Sequence, residues 1–120
     1  MAGRYDFTIE QGATFSRQVT WQDESGAGIN LTGYTITGKL RKKTSDNKEI
    51  ASFTCALVTP TSGIFSFSLT PTQTSLLPSS FSYNAEKQLL ECVYDIEASS
   101  GSNVYRVLEG IASISPEVTR

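Results

Sequence analysis

Phe65-Ser66-Phe67-Ser68-Leu69-Thr70 alternates a large apolar residue with a hydroxyl residue at every step, which is the period of a strand with one buried face. At Thr70 the period breaks. Thr70-Pro71-Thr72-Gln73-Thr74-Ser75-Leu76-Leu77 places a threonine cap before a proline at the first helical position, with glutamine three residues after the cap. The pattern predicts one short helical turn near residues 71–77, stopped by Pro78. Upstream, Pro60-Thr61-Ser62-Gly63 closes the preceding strand, because proline lacks the ladder donor and glycine permits a positive φ.

The same alternation extends in both directions. Toward the N-terminus, Ile50 to Leu57 puts Phe53, Cys55 and Leu57 on one face, and Gly33 to Lys43 turns Tyr34, Ile36 and Leu40 inward. Gly38 falls on that inward side, where a strand glycine marks a bulge or a close neighbour. Phe15, Arg17, Val19 and Trp21 share a face that accommodates Arg17 only at a sheet edge, and Arg4 to Glu10 alternates Tyr5, Phe7 and Ile9 with polar residues. Toward the C-terminus, Leu90, Cys92, Tyr94 and Ile96 face one way. Ser99 to Asn103 has the composition of a five-residue hairpin loop, and Leu108, Gly110, Ala112 and Ile114 line the returning strand. About seven strands with turn signals roughly every 8–12 residues predict an all-β fold, a seven-stranded antiparallel immunoglobulin-like β-sandwich in a single domain over 1–120. The chain has no alternation of strands with long helices, which excludes a parallel α/β sheet.

Composition narrows the chemistry. The 120 residues carry a net charge of -2, with charged residues at 18% and hydrophobic residues at 38%. Serine and threonine make up a quarter of the chain, unlike a coiled coil or long-helix protein. Low net charge and twelve aromatic residues are equally unlike a disordered chain. There is no histidine, which removes the Ser-His-Asp and Cys-His nucleophile systems, facial-triad iron sites and most zinc sites. No general base, nucleophile or metal set emerges, so a non-enzymatic protein without cofactors is expected. Apolar runs as short as Ala56-Leu57-Val58 form neither a signal peptide nor a membrane span, which needs about 20 apolar residues. Synthesis in a cytoplasm follows as the expectation, with Cys55 and Cys92 as buried free thiols.

Several clusters have both a plain and a functional reading. Lys39, Arg41, Lys42, Lys43 and Lys48 form the one concentration of positive charge, read as a solvated edge strand guarded by charge or as a contact for a partner protein. Nucleic acid is disfavoured by the acidic balance and by the lack of aromatics within the cluster. Asp95 and Glu97 lie two apart on one strand face, where a solvated surface is the plainer reading than a cation site. Trp21 is either core or, if exposed, an interface anchor. Leu76, Leu77, Phe81 and Tyr83 put four large apolar residues in a segment otherwise rich in serine and proline. That segment either folds over an open end of the sandwich or presents a patch to another subunit. The tail after Pro116, with Val118 and Arg120, suits docking along a neighbour by strand addition or frays as a terminus.

The order of these features has a familiar form. Tyr5-Asp6-Phe7-Thr8-Ile9-Glu10-Gln11-Gly12, Val19-Thr20-Trp21, Ile29-Asn30-Leu31-Thr32-Gly33-Tyr34, Lys39-Leu40-Arg41-Lys42, Gly63-Ile64-Phe65, Tyr94-Asp95-Ile96-Glu97 and Leu108-Glu109-Gly110 follow one another along the chain. Over essentially its whole length the sequence resembles small virion proteins of tailed bacteriophages and the N-terminal immunoglobulin-like domain of phage baseplate upper proteins. The resemblance implies a structural virion protein made in the host cytoplasm. It would be an adaptor of the tail, baseplate or neck, present in multiple copies and docking other virion proteins, with no nucleic-acid or membrane partner. Baseplate upper proteins carry further domains, so a chain ending at Arg120 is expected to act as a free-standing adaptor or decoration module. Leu76, Leu77, Phe81, Tyr83, Val118 and Arg120 are the candidate interface residues. The alternatives are a capsid decoration protein and a carbohydrate-binding fibre module, the latter requiring Tyr5, Trp21, Tyr34 or Tyr105 on an outward platform.

Overall fold

A computed structural model describes residues 3–42, 49–77 and 90–115. Its strands are β1 (Gly3–Arg4), β2 (Phe7–Glu10), β3 (Phe15–Thr20), β4 (Thr35–Arg41), β5 (Ala51–Thr59), β6 (Ile64–Leu69), β7 (Leu90–Ser100) and β8 (Asn103–Ser115), with one short helix, α1 (Pro71–Ser75), between β6 and β7. The fold is all-β, as the alternation predicts. The strands form one curled sheet in the order β1-β8-β7-β4-β5-β6-β3, with β2 also paired to β8.

The expectation of a purely antiparallel arrangement is corrected: the sheet is mixed, because β1 and β2 both run parallel to β8. Antiparallel direction follows where a short turn joins two strands. No turn links the N-terminal strand to the last one, so local pattern leaves their relative direction open. The expected strand over Arg4–Glu10 is divided in two at Tyr5-Asp6, although its register on β8 is unbroken, with Arg4 opposite Glu109 and Phe7 opposite Ala112. Across the break the Tyr5 N–H donates to Glu109 O at 3.0 Å. The Asp6 carboxylate accepts from the Ile111 N–H at 2.9 Å, and the Tyr94 hydroxyl donates to Tyr5 O.

β5 produces the curl. Ala51 to Phe53 pair with β4, whereas Thr54 to Thr59 pair with β6, so one strand belongs to both halves of the sheet. The inner faces then meet. Phe7 of β2 lies 4.7 Å from Phe15 of β3 and 4.6 Å from Tyr94 of β7, ring centre to ring centre, and Phe53 lies 5.2 Å from Phe67. Phe65, Phe67, Leu69, Leu40, Ile96 and Ile114 are fully buried in this core, each such side chain contributing about 1.5–3 kcal/mol by leaving water. Gly38 has the close neighbour that its place on the inner face suggests: a Cβ there would stand 2.5 Å from Ile96 Cδ1 and 3.1 Å from Phe53.

The β7–β8 hairpin is tighter than its five-residue composition suggests. Ser100 pairs with Asn103, leaving a two-residue turn with Gly101 at φ 60°, the positive φ that a type II′ turn requires at its first central position. Farther along, Ile96 faces Leu108 and Glu97 faces Arg106, so Val107 is an extra residue, a β-bulge. The bulge sets Tyr105 opposite Ala98, on the inner face, instead of Ser99 on the outer one. At the far edge, β3 holds Arg17 where an arginine is tolerated. Its guanidinium lies 4.6 Å over the Phe15 ring and donates to Ser16 O at 2.9 Å and to the Tyr5 hydroxyl at 3.0 Å.

Candidate interaction surface

α1 is built as its sequence predicts. The Gln73 N–H donates to Thr70 Oγ1 at 3.2 Å, while Gln73 Oε1 accepts from the Thr70 N–H at 2.9 Å. Thr74, fully buried, ties the helix to the turn between β2 and β3. Its Oγ1 accepts from the Gly12 N–H at 3.0 Å and lies 2.8 Å from Ala13 O as donor. Gln11 Nε2 adds a bond to Leu77 O at 2.7 Å. These anchors divide the two leucines. Leu77 is 4% exposed and belongs to the core, whereas Leu76 is 80% exposed. As a side chain to be offered to a partner, Leu77 is therefore withdrawn, because the bonds at Thr74 and Gln11 hold this turn against the sheet. Of the two leucines described in this segment, Leu77 packs on the core and Leu76 is exposed. Phe81, Tyr83, Val118 and Arg120 lie outside the described residues.

A second feature stands at the hairpin end of the sheet. Trp21, Tyr34 and Tyr105 form a triangle of rings with centres 6.0–6.4 Å apart. Trp21 is held on both sides by backbone bonds of 2.8 Å, donating to Gly63 O and accepting from the Ile29 N–H. Trp21 and Tyr34 are half-buried against the core, and Tyr105 is 44% exposed. The Trp21 and Tyr34 planes meet at 87°, and Tyr105 is tilted at 50° to the first and 43° to the second, so the three rings are not coplanar. Tyr5 is exposed at a separate place, its ring 5.6 Å from Phe7. Periodicity missed this cluster because Tyr105 reaches it only through the Val107 bulge.

The third feature is the outer face over β1, β8, β7 and β4. The basic residues there do not guard an edge: β4 lies between β7 and β5. Lys39 stands opposite Asp95, Asp95 opposite Glu109, and Glu109 opposite Arg4, a row across four strands in which two carboxylates lie side by side between two cations, a like-charge pairing that needs a further cation to offset it. Arg106 bridges to Asp95 at 3.6 Å and to Glu109 at 3.3 Å, Lys39 reaches Glu49 at 3.7 Å, and Arg4 reaches Asp6 at 3.4 Å. The Ser52 hydroxyl and then the charges of Lys39 and Arg41 hold the Glu49 carboxyl below its usual range. A cleft of about 590 Å³ opens on this face. Asp95 is thus a partner of Arg106 and Glu97 its cross-strand neighbour, in keeping with the plain reading of that pair. Lys43 and Lys48 lie outside the described residues.

Cys55 and Cys92 are both free thiols. Burial pushes Cys55 up to about 11 and also raises Cys92, which Lys42 draws partly back; neither is poised as a thiolate. Among the described residues no three cysteine or carboxylate side chains gather as a metal would require. Asp23, in the turn before Gly26, accepts from the Ser25 hydroxyl and from the N–H groups of Ser25 and Ala27, which lowers its pKa. Its carboxylate closes a loop. No protein-family model matches the chain, and no curated protein matches it in sequence.

Proposed function

We propose that this chain is a non-enzymatic structural protein of a tailed-phage virion, an immunoglobulin-like adaptor that docks tail, baseplate or neck proteins. The observation that carries the reading is the strand order. In an immunoglobulin fold one sheet runs C-F-G and the other B-E-D. The order β4-β7-β8 corresponds to the first and β3-β6-β5 to the second, with β5 bent so as to serve both halves. This supports the fold that the resemblance to baseplate upper proteins implies. A fold by itself assigns no function, so the docking role rests on surface as well. Leu76 is the most exposed of the large apolar side chains described, at 80%, beside a turn anchored through Thr74 and Gln11. One exposed leucine is ordinary on a protein surface, so its part in docking is for the incorporation experiment to establish.

The test is incorporation. Leu76→Ser protein, supplied in competition with wild type during phage assembly, is expected to enter particles at a small fraction of the wild-type level while its circular dichroism and melting temperature are unchanged. Equal incorporation of the two would remove Leu76 from the interface.

A further inference from the structure

We propose that the cleft on the outer sheet face receives a single carboxylate, an aspartate or glutamate side chain of a partner protein, and that Arg41 is the group that binds it. Register sets Arg41, Val93 and Ile111 in one row across β4, β7 and β8, beside the row of Lys39, Asp95, Glu109 and Arg4. All of these line the cleft together with Arg106. Three of its four cations are already matched: Arg4 by Asp6, Lys39 by Glu49, and Arg106 by Asp95 and Glu109. Arg41 is not. Among the described residues it has no ion pair or hydrogen bond, and its Nε is buried with no acceptor. Glu49 is near enough to feel its charge, but that carboxylate is engaged by the Ser52 hydroxyl and by Lys39.

A buried N–H without an acceptor is costly. Here part of the desolvation that binding demands is therefore already met in the free protein. The planar guanidinium offers paired donors that fit a carboxylate. A single charge is the better match because Asp95 and Glu109, in the adjoining row, repel the second charge of a phosphate dianion. Val93 and Ile111, both half-buried, give apolar surface for the chain that carries the carboxylate, which favours a protein segment over a free small acid. The inference does not depend on the virion reading: particles lacking this chain would leave the cleft chemistry unchanged.

The experiment is an amide chemical-shift titration of the full chain with the capped peptide Gly-Ala-Glu-Ala-Gly, its glutamine counterpart, sodium acetate and inorganic phosphate. The glutamate peptide is expected to shift the amides of Arg41, Val93 and Ile111 and to saturate, with the glutamine peptide silent. Arg41→Gln should weaken binding at least tenfold and Arg41→Lys by less, both with wild-type spectra elsewhere. Should either variant misfold, the wild-type shift map and the silence of the glutamine peptide still decide. Shifts located elsewhere, no shifts at all, or equal binding by the glutamine peptide would overturn the site. Acetate binding as tightly as the peptide would overturn the protein-segment assignment, and tighter phosphate binding would overturn the choice of a carboxylate.

Discussion

Tyr94 on β7 donates its hydroxyl to the carbonyl oxygen of Tyr5, joining the inner face of the sheet to the break between β1 and β2. Burial first, and then the nearby negative charge of Asp6, raise the Tyr94 phenol well above its ordinary value, so it stays a donor throughout the neutral range. Tyr94→Phe leaves Tyr5 O without this partner and should cost about 1–3 kcal/mol. Hydrogen exchange at the Tyr5 N–H, which donates to Glu109 O, should quicken more than exchange at β6. Unchanged exchange there would mean that the N-terminal strand is held by other contacts.

Gly110 and Gly38 both lack room for a side chain, but for different reasons. A Cβ on Gly110 would stand 2.3 Å from Tyr5 O and 2.6 Å from Asp6 Oδ1, whereas at Gly38 the nearest atom is the tip of Ile96 at 2.5 Å. A side-chain tip can swing aside; a backbone carbonyl held in the ladder cannot without shifting the strand. Gly110→Ala should therefore lose more stability than Gly38→Ala, the latter costing about 1–3 kcal/mol as an overpacked core does. Denaturant unfolding of the two variants checks the order.

The two neighbouring leucines give a paired test of the turn after α1. Leu77→Ala removes a buried side chain and should cost about 2–5 kcal/mol. Leu76→Ser changes an exposed one and should stay within about 0.5 kcal/mol of wild type. Comparable losses would mean that Leu76 packs on residues beyond those described.

Alkaline pH should weaken the fold through Cys55. Its folded pKa of about 11 lies above the ordinary 9.0, so the native state holds the proton more tightly than the unfolded chain. That contribution is complete below about pH 9 and is lost as pH rises through about 11. It amounts to about 1 kcal/mol once the thiol's partial exposure is allowed for. Between pH 9 and 11 wild type should lose more stability than Cys55→Ala; parallel pH profiles would contradict this.

Short-range pattern carried much of this fold. Phe65, Phe67 and Leu69 are buried in the alternation that their spacing prescribes, and the Thr70 and Gln73 cap forms because both partners lie within one helical turn. Relations between distant residues were not legible. Nothing near Phe7 encodes that it lies beside Ala112 in parallel, and nothing near Tyr105 encodes the bulge at Val107 that turns it toward Trp21. Leu76 and Leu77 are identical in type and adjacent. Only the bonds of Thr74 and Gln11 to distant segments decide which of them is buried. Arg41 stood out as one of a basic group, but its lack of a partner depends on which carboxylates the neighbouring strands bring to Lys39 and Arg106.

The most direct test of the proposed virion-adaptor role is quantitative mass spectrometry of phage particles purified from cells that express this chain, read as copies relative to the major capsid protein. The account predicts a few to a few tens of copies per particle, as a neck, tail or baseplate position requires. A regular ratio near one copy per capsid subunit would instead make it a decoration protein, and its absence from the particle would contradict a virion role altogether.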